Sequence, residues 1–256
     1  MGSANIDNIT AVIKTFERPK KLDTLISSLR RFFPTIKIIV ADDSKDPYPR
    51  DDVEYHILPY GAGLSAGRNF LVNKVTTKYL ALFDDDFVCT KNTRLKEMAG
   101  IMERNPIDLV GGDAVHFGKT RKPTNTLLKI EDGILIQFVE KNRGFINGFP
   151  IYDKTPNFFV AKTVKIKEVM WDEELKIFRE HEDFFLRAKG KLVITRLPKF
   201  SVDHFPGERL YGEEEERAVT ASLIFNKKWG VKKVISVWKR PGPCPSSKTA
   251  KRSSCR

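Results

Sequence analysis

An apolar run that ends on three carboxylates limits what this chain can become. Tyr79-Leu80-Ala81-Leu82-Phe83 is flanked by turn-type polar residues and reads as a buried strand, and it stops on Asp84-Asp85-Asp86 before Phe87. Adjacent like charges raise one another's pKa unless something positive sits among them. Oxygen ligands grouped this way suit a hard divalent cation, Mg²⁺ or Mn²⁺, that also takes phosphate oxygens. Open α/β sheets bind ligands at the carboxyl ends of their strands. The stretch therefore marks a candidate cation–diphosphate site; a solvated acidic turn is the plain alternative.

The residues before it supply the context. Ile9 to Ile13 reads as a strand, and Thr15 to Pro19 as a turn with Pro19 suited to a first helical position. Leu22, Leu25, Ile26, Leu29, Phe32 and Phe33 follow helical spacing up to Pro34. Ile36 to Ala41 is a second strand that stops on Asp42-Asp43-Ser44, and Val53 to Leu58 is a third. Strand–helix–strand order with short connections gives a parallel, right-handed sheet. Two parallel strands then end in acids on one rim. Gly61 to Asn69 is glycine-rich, but its spacing is neither the dinucleotide fingerprint nor a phosphate loop. Arg68 and Asn69 are expected at a helix start, facing a phosphate or holding the acidic ends.

The second half differs. A helix over about 93–104 leads to a strand over 107–117, and residues 118–156 alternate like antiparallel strands and loops. Asn157 to Ala161 is a short buried strand. Glu180-His181-Glu182-Asp183 opens a helix, where acids are favoured by the helix dipole and where a general base could stand. Val202-Asp203-His204 lies on a short strand, with His204 a cation-ligand candidate. Glu213 to Trp229 is a helix with an acidic start and a basic end. The expected division is a leader over 1–8 and one catalytic domain over 9–239, split into a nucleotide-binding half to 117 and an acceptor-side half. A disordered basic tail over 240–256 completes it.

Net charge is +12, which suits an anionic partner: nucleotide, acidic glycan, nucleic acid or membrane. The acids gather at the candidate site and the bases are scattered outside the tail, so nucleic acid is not the expected ligand. The tail offers a peripheral contact to an anionic membrane. No apolar run approaches the roughly 18 to 20 residues of a membrane span. Met1-Gly2-Ser3 has no signal-peptide pattern, and more chain upstream is expected. Three cysteines make no disulfide framework; Cys89 is expected in the core, with Cys244 and Cys255 in the tail.

Taken together, Lys14-Thr15-Phe16, Val40 to Ser44, Ala66 to Asn69, Val75 to Tyr79, Asp84 to Phe87, Asp108 to Gly112, Asn157-Phe158-Phe159 and Val202-Asp203-His204 resemble, in order, the β1,4-N-acetylgalactosaminyltransferases. The resemblance implies a GT-A fold: an α/β, Rossmann-like, mostly parallel sheet with a smaller antiparallel acceptor-side region. It implies an inverting, metal-dependent transferase that moves GalNAc from a UDP-sugar to a glycan or glycolipid. UDP-GlcNAc, UDP-galactose and UDP-glucose are rival donors. A non-catalytic binding protein or an inactive partner subunit are rivals of another class. By the same resemblance Thr15, Arg18, Asp42 and Asp43 lie by the uridine. Arg68 holds the diphosphate side or braces Asp43. Asp84 and Asp85 face the donor; Asp86, with Asp84 and His204, holds Mn²⁺ (or Mg²⁺). Asp183 is the expected base, Glu182 the nearer alternative and Glu180 the more remote one. The family's animal members work in the Golgi lumen, which makes this an anchor-truncated lumenal domain; a cytoplasmic protein is the alternative. The stretch 118–150 matches poorly, so the acceptor does not carry over.

Overall fold

A computed structural model describes residues 5–121, 124–206 and 214–237; the side chains of 120, 121, 214 and 215 are not described. The basic tail and its two cysteines lie outside these residues. The strands are β1 (Ile9–Thr15), β2 (Lys37–Asp42), β3 (Glu54–Ile57), β4 (Tyr79–Asp84), β5 (Phe87–Cys89), β6 (Leu109–His116) and β7 (Thr120–Arg121). They continue as β8 (Asn125–Glu131), β9 (Ile134–Val139), β10 (Phe145–Ile146), β11 (Phe149–Tyr152), β12 (Phe159–Lys162), β13 (Ile194–His204) and β14 (Lys233–Val237). The helices are α1 (Pro19–Phe32), α2 (Leu64–Lys74), α3 (Leu95–Arg104), α4 (Thr163–Lys167), α5 (Glu180–Ala188) and α6 (Glu214–Trp229).

The large sheet runs β10-β11-β13-β6-β12-β4-β1-β2-β3, with β5 on β13 and β7 on β6. Strands β4, β1, β2 and β3 are parallel, as the strand–helix–strand order requires. Strand β12 runs antiparallel between β4 and β6, a crossing the sequence order did not reveal. A separate sheet, β14-β9-β8, carries the antiparallel hairpin expected after residue 118.

Both faces of β1 and β4 are covered, so β1 is buried throughout. Leu22, Leu25, Ile26 and Leu29 of α1 pack with Ile9, Ile13 and Phe83 on one face. On the other, Leu71 and Val72 of α2 pack with Val12, Leu82 and Phe184. Ile6, expected in a leader, packs in the first of these clusters, so the folded unit starts before residue 9. Cys89 is buried and unpaired, as a core cysteine should be.

The β6 glycines mark a close approach. A Cβ at Gly112 would stand 2.5 Å from the Phe200 carbonyl oxygen and 2.6 Å from the Phe158 ring. Backbone cannot withdraw cheaply, so Gly112→Ala is expected to cost about 1–3 kcal/mol, as overpacking does. A urea midpoint equal to that of the parent protein would contradict this.

Candidate active site

The acidic strand ends converge. Strands β1, β2 and β4 stop on one rim, because their parallel register sets Thr15 opposite Asp42 and Lys14 opposite Asp84. The ends open into a cleft of about 1260 Å³ whose lining includes Thr15, Arg18, Asp43, Arg68, Asp84, Asp85, Asp86 and His204. Of the residues singled out from the sequence, these eight line it, and Asp42, Asn69, Glu180, Glu182 and Asp183 do not. The loop over 173–177 and α6, through Glu216, Arg217, Thr220 and Ala221, form its other wall.

Each carboxylate has its own setting. Asp43 is buried, pairs with the Lys14 ammonium and accepts the Gly63 amide at 2.8 Å. Lys14 also lines the cleft; burial lowers its pKa and Asp43 opposes that. Asp85 accepts the Thr15 hydroxyl at 2.8 Å and lies 3.3 Å from Arg18. Burial raises the Asp85 pKa to about 6; Arg18 and Thr15 oppose this, while Asp86 and Asp84 add to it. Asp86 Oδ2 lies 3.3 Å from His204 Nε2 and 3.7 Å from Arg18. That pairing comes from β13 running alongside β5, with His204 opposite Phe87 and the Phe205 amide bonded to the Asp86 carbonyl at 3.0 Å.

A divalent cation fits this corner. Asp86 and His204 offer an oxygen and a nitrogen at one point, and the crowded carboxylates need a positive neighbour. Among the described residues, no three His, Cys, Asp or Glu side chains form a ready cage. A cation shared with two phosphates needs few protein ligands.

Five residues stand differently from their expected roles. Asp84 lines the cleft but gives its oxygens to Arg68 at 2.7 Å and Asn157 at 3.0 Å. Arg68 therefore braces Asp84 rather than Asp43, and Lys14 is the brace of Asp43. It also sits in the second turn of α2, which starts at Leu64, not at a helix start. Asp42 turns from the cleft, taking the Ser44 amide at 2.8 Å and the Tyr55 hydroxyl at 2.5 Å, so it ties the strand ends together. Asp183 is fully buried and outside the cleft lining, with Arg187 at 2.7 Å, Lys228 at 2.8 Å and the Trp229 indole at 2.9 Å. Glu182 is ion-paired with Lys154 at 2.5 Å; burial raises its pKa, but Lys154, His181 and Arg179 together bring it to about 2, which makes a feeble base.

Glu180, the remaining acid of that turn, faces the other way. Its Oε1 lies 3.9 Å from Arg68 Nη1, and burial raises its pKa against the pull of Arg68. Glu180 is itself buried and outside the cleft lining; its charged neighbours are Arg68 and Asp84, which line the cleft, and Glu182, which does not. Two residues were missed from the sequence. Asn157 had its signal in the Asn-Phe-Phe motif, and Lys14 in being the lone charge of an apolar strand beside Asp42-Asp43.

Comparison with known proteins agrees with this geometry. The profile of the family described as "Glycosyl transferase family 2" matches residues 10–169. Over 206 residues the chain is 40% identical to human Beta-1,4 N-acetylgalactosaminyltransferase 1, covering 77% of this chain and 38% of that protein. It is 34% identical over 201 residues to mouse Beta-1,4 N-acetylgalactosaminyltransferase 2, covering 77% and 39%. The chain thus spans less than half the length of these relatives. Its fold is similar to that of S. aureus TarS 1-349 in complex with UDP-GlcNAc, with a TM-score of 0.60, 15% identity, and coverage of 88% of this chain and 67% of that one. The architecture is GT-A. A matched family profile that spans more than half the sequence, laid over a sheet rim that gathers acids from separate strands, makes this chain a member of glycosyl transferase family 2.

Proposed function

We propose that the chain transfers a sugar, GalNAc by preference, from a UDP-sugar to a hydroxyl of a glycan or glycolipid, with inversion, in a lumenal Golgi setting. The observation that carries this is the gathering of Asp43, Asp85, Asp86, Arg18 and His204 on one cleft. Support for GalNAc comes from the relatives' names.

In this reading Asp43, held by Lys14 and Gly63, orients the uridine. Arg18 neutralises charge at Asp85 and Asp86 while the diphosphate approaches. Asp86 and His204 hold Mn²⁺ or Mg²⁺, which when bound offsets the charge that develops on the departing UDP. Glu180 takes the proton from the attacking hydroxyl, and Arg68 keeps Asp84 and Glu180 in place. Asp183 has a structural role, fastening α5 to α6.

Titration calorimetry of UDP with and without Mn²⁺ is the test. Cation-dependent binding is expected, and Asp86→Ala should weaken it at least about tenfold, the loss of one charged contact. Equal affinity with and without the cation, in the parent and in Asp86→Ala, would remove Asp86 from the cation site. UDP-GalNAc should outcompete UDP-GlcNAc; the reverse order would move the donor assignment without disturbing the site.

A further inference from the structure

A second cavity lies at the other end of β4. It has a volume of about 480 Å³ and is lined by Asn73, Val75, Thr76, Thr77, Lys78, Lys162, Thr163, Val164 and Lys167. Three lysines, three threonines and an asparagine line one space with no carboxylate among them; the Thr77 hydroxyl is bonded to Thr10 and to the Tyr79 carbonyl. Thr77 and Lys78 precede β4, whereas Asp84 ends it. Six strand residues at about 3.3 Å each put this cavity about 20 Å from the candidate active site.

Two of the three charges have a carboxylate partner outside the lining. Lys162 takes Asp108 at 3.0 Å, and Lys78 stands 3.6 Å from Glu103 with most of its side chain exposed. Among the described residues, Lys167 donates to the Val75 carbonyl, at 3.3 Å. Neither acid is in the lining, so the lining itself carries only positive charge. Thr163 adds an independent sign. It is 3% exposed, its amide is bonded to the Lys78 carbonyl at 3.0 Å, and its Oγ1 has no partner. Buried hydroxyls are seldom left unmatched without a reason. An oxyanion in the cavity would accept from the ammoniums, and from this enclosed hydroxyl once the groups over it part.

We propose that this cavity is a second anion site, specific for a tetrahedral oxyanion, either a free phosphate or sulfate ion or the same group esterified to a small saccharide. The volume exceeds what one ion fills and matches a monosaccharide ester. The exposed apolar side chain of Val164 on the rim gives a sugar ring a surface to lie against.

The test uses the whole chain and two probes, inorganic sulfate and a monosaccharide sulfate, followed by calorimetry and thermal unfolding, with the unsulfated monosaccharide as control. Sulfate should bind and raise the melting temperature, and the double variant Lys78→Met/Lys167→Met should weaken this at least about tenfold. Thr163→Val, which keeps the shape and removes the hydroxyl, should weaken it about threefold to tenfold without altering the unliganded melting temperature by more than a degree or two. Tighter binding of the saccharide sulfate than of inorganic sulfate identifies the ester as the ligand; equal binding identifies the free ion. Sulfate binding that both variants leave intact, or no binding by either probe, overturns the proposal. If the lysine double variant fails to fold, Thr163→Val alone decides.

Discussion

Glu180→Gln is expected to lower sugar transfer about 10²–10⁴-fold, the range general-base catalysis supplies, while UDP affinity stays within about twofold. Glutamine keeps the shape and loses the proton acceptor. Asp183→Asn should do the opposite: it removes the charge that Arg187 and Lys228 share in a fully buried position. Breaking one side of such a pair costs about 3–5 kcal/mol. That variant should unfold at lower temperature yet turn over normally while folded. Steady-state kinetics below both melting points separates the two. Normal turnover in Glu180→Gln would return the base to another group. The pH profile gives a second check. A general base works ionised, and burial raises the Glu180 pKa. The rate should therefore fall as the medium is acidified, with its midpoint above that of an ordinary glutamate, and this limb should vanish in Glu180→Gln.

The second large effect concerns stability alone. Arg196 of β13 is fully buried, lies 2.5 Å from Asp113 and 3.1 Å from Glu140, and sits where the β13–β6 register shifts. It bonds an element of the large sheet to Glu140, the residue that follows β9 of the small one. Arg196→Met keeps the apolar stem and strips the charge, leaving Asp113 buried without its guanidinium. The expected loss is about 3–5 kcal/mol. At about 2–4 °C per kcal/mol for a domain of this size, the melting temperature should drop by roughly 6–20 °C. Arg196→Met combined with Asp113→Leu should recover much of that, because an apolar pair of similar volume leaves no orphaned charge. A melting temperature unmoved by Arg196→Met would show that the network contributes little.

The donor side of the fold was legible because its signals are local. A strand that stops on acids needs only six to nine residues to be recognised, and a parallel register then sets those ends side by side. The helix α1 was legible through its spacing and Pro19. The side of α5 was not. A run of Glu180, Glu182 and Asp183 covers most of a helix turn, so the sequence does not say which acid meets the cleft. One clue was present, since Asp183 and Arg187 stand four apart and such pairs meet on a helix. The other partners of Asp183 lie 45 and 46 residues downstream, beyond any local pattern. Asp42 was misjudged for the same reason. Two neighbouring acids at a strand end point to opposite faces, and only one can enter the cleft. The reversal of β12 between β4 and β6 was hidden because a four-residue apolar strand carries no mark of its direction.

The two sheets differ in what change they can absorb. Residues that meet the donor stand on the ends of β1, β2, β4 and β13, within one continuous ladder where a shift in any strand displaces the rest. The opposite wall is carried by α6, whose chain continues into β14 of the separate three-stranded sheet. One face of α6 nonetheless packs on the sheet, with Ala221 and Phe225 in the same core cluster as Val12 and Leu82. A lineage built on this plan can vary the outer face of α6, where Val219 and Leu223 are exposed, while the face that packs on the sheet changes only together with the core beneath it.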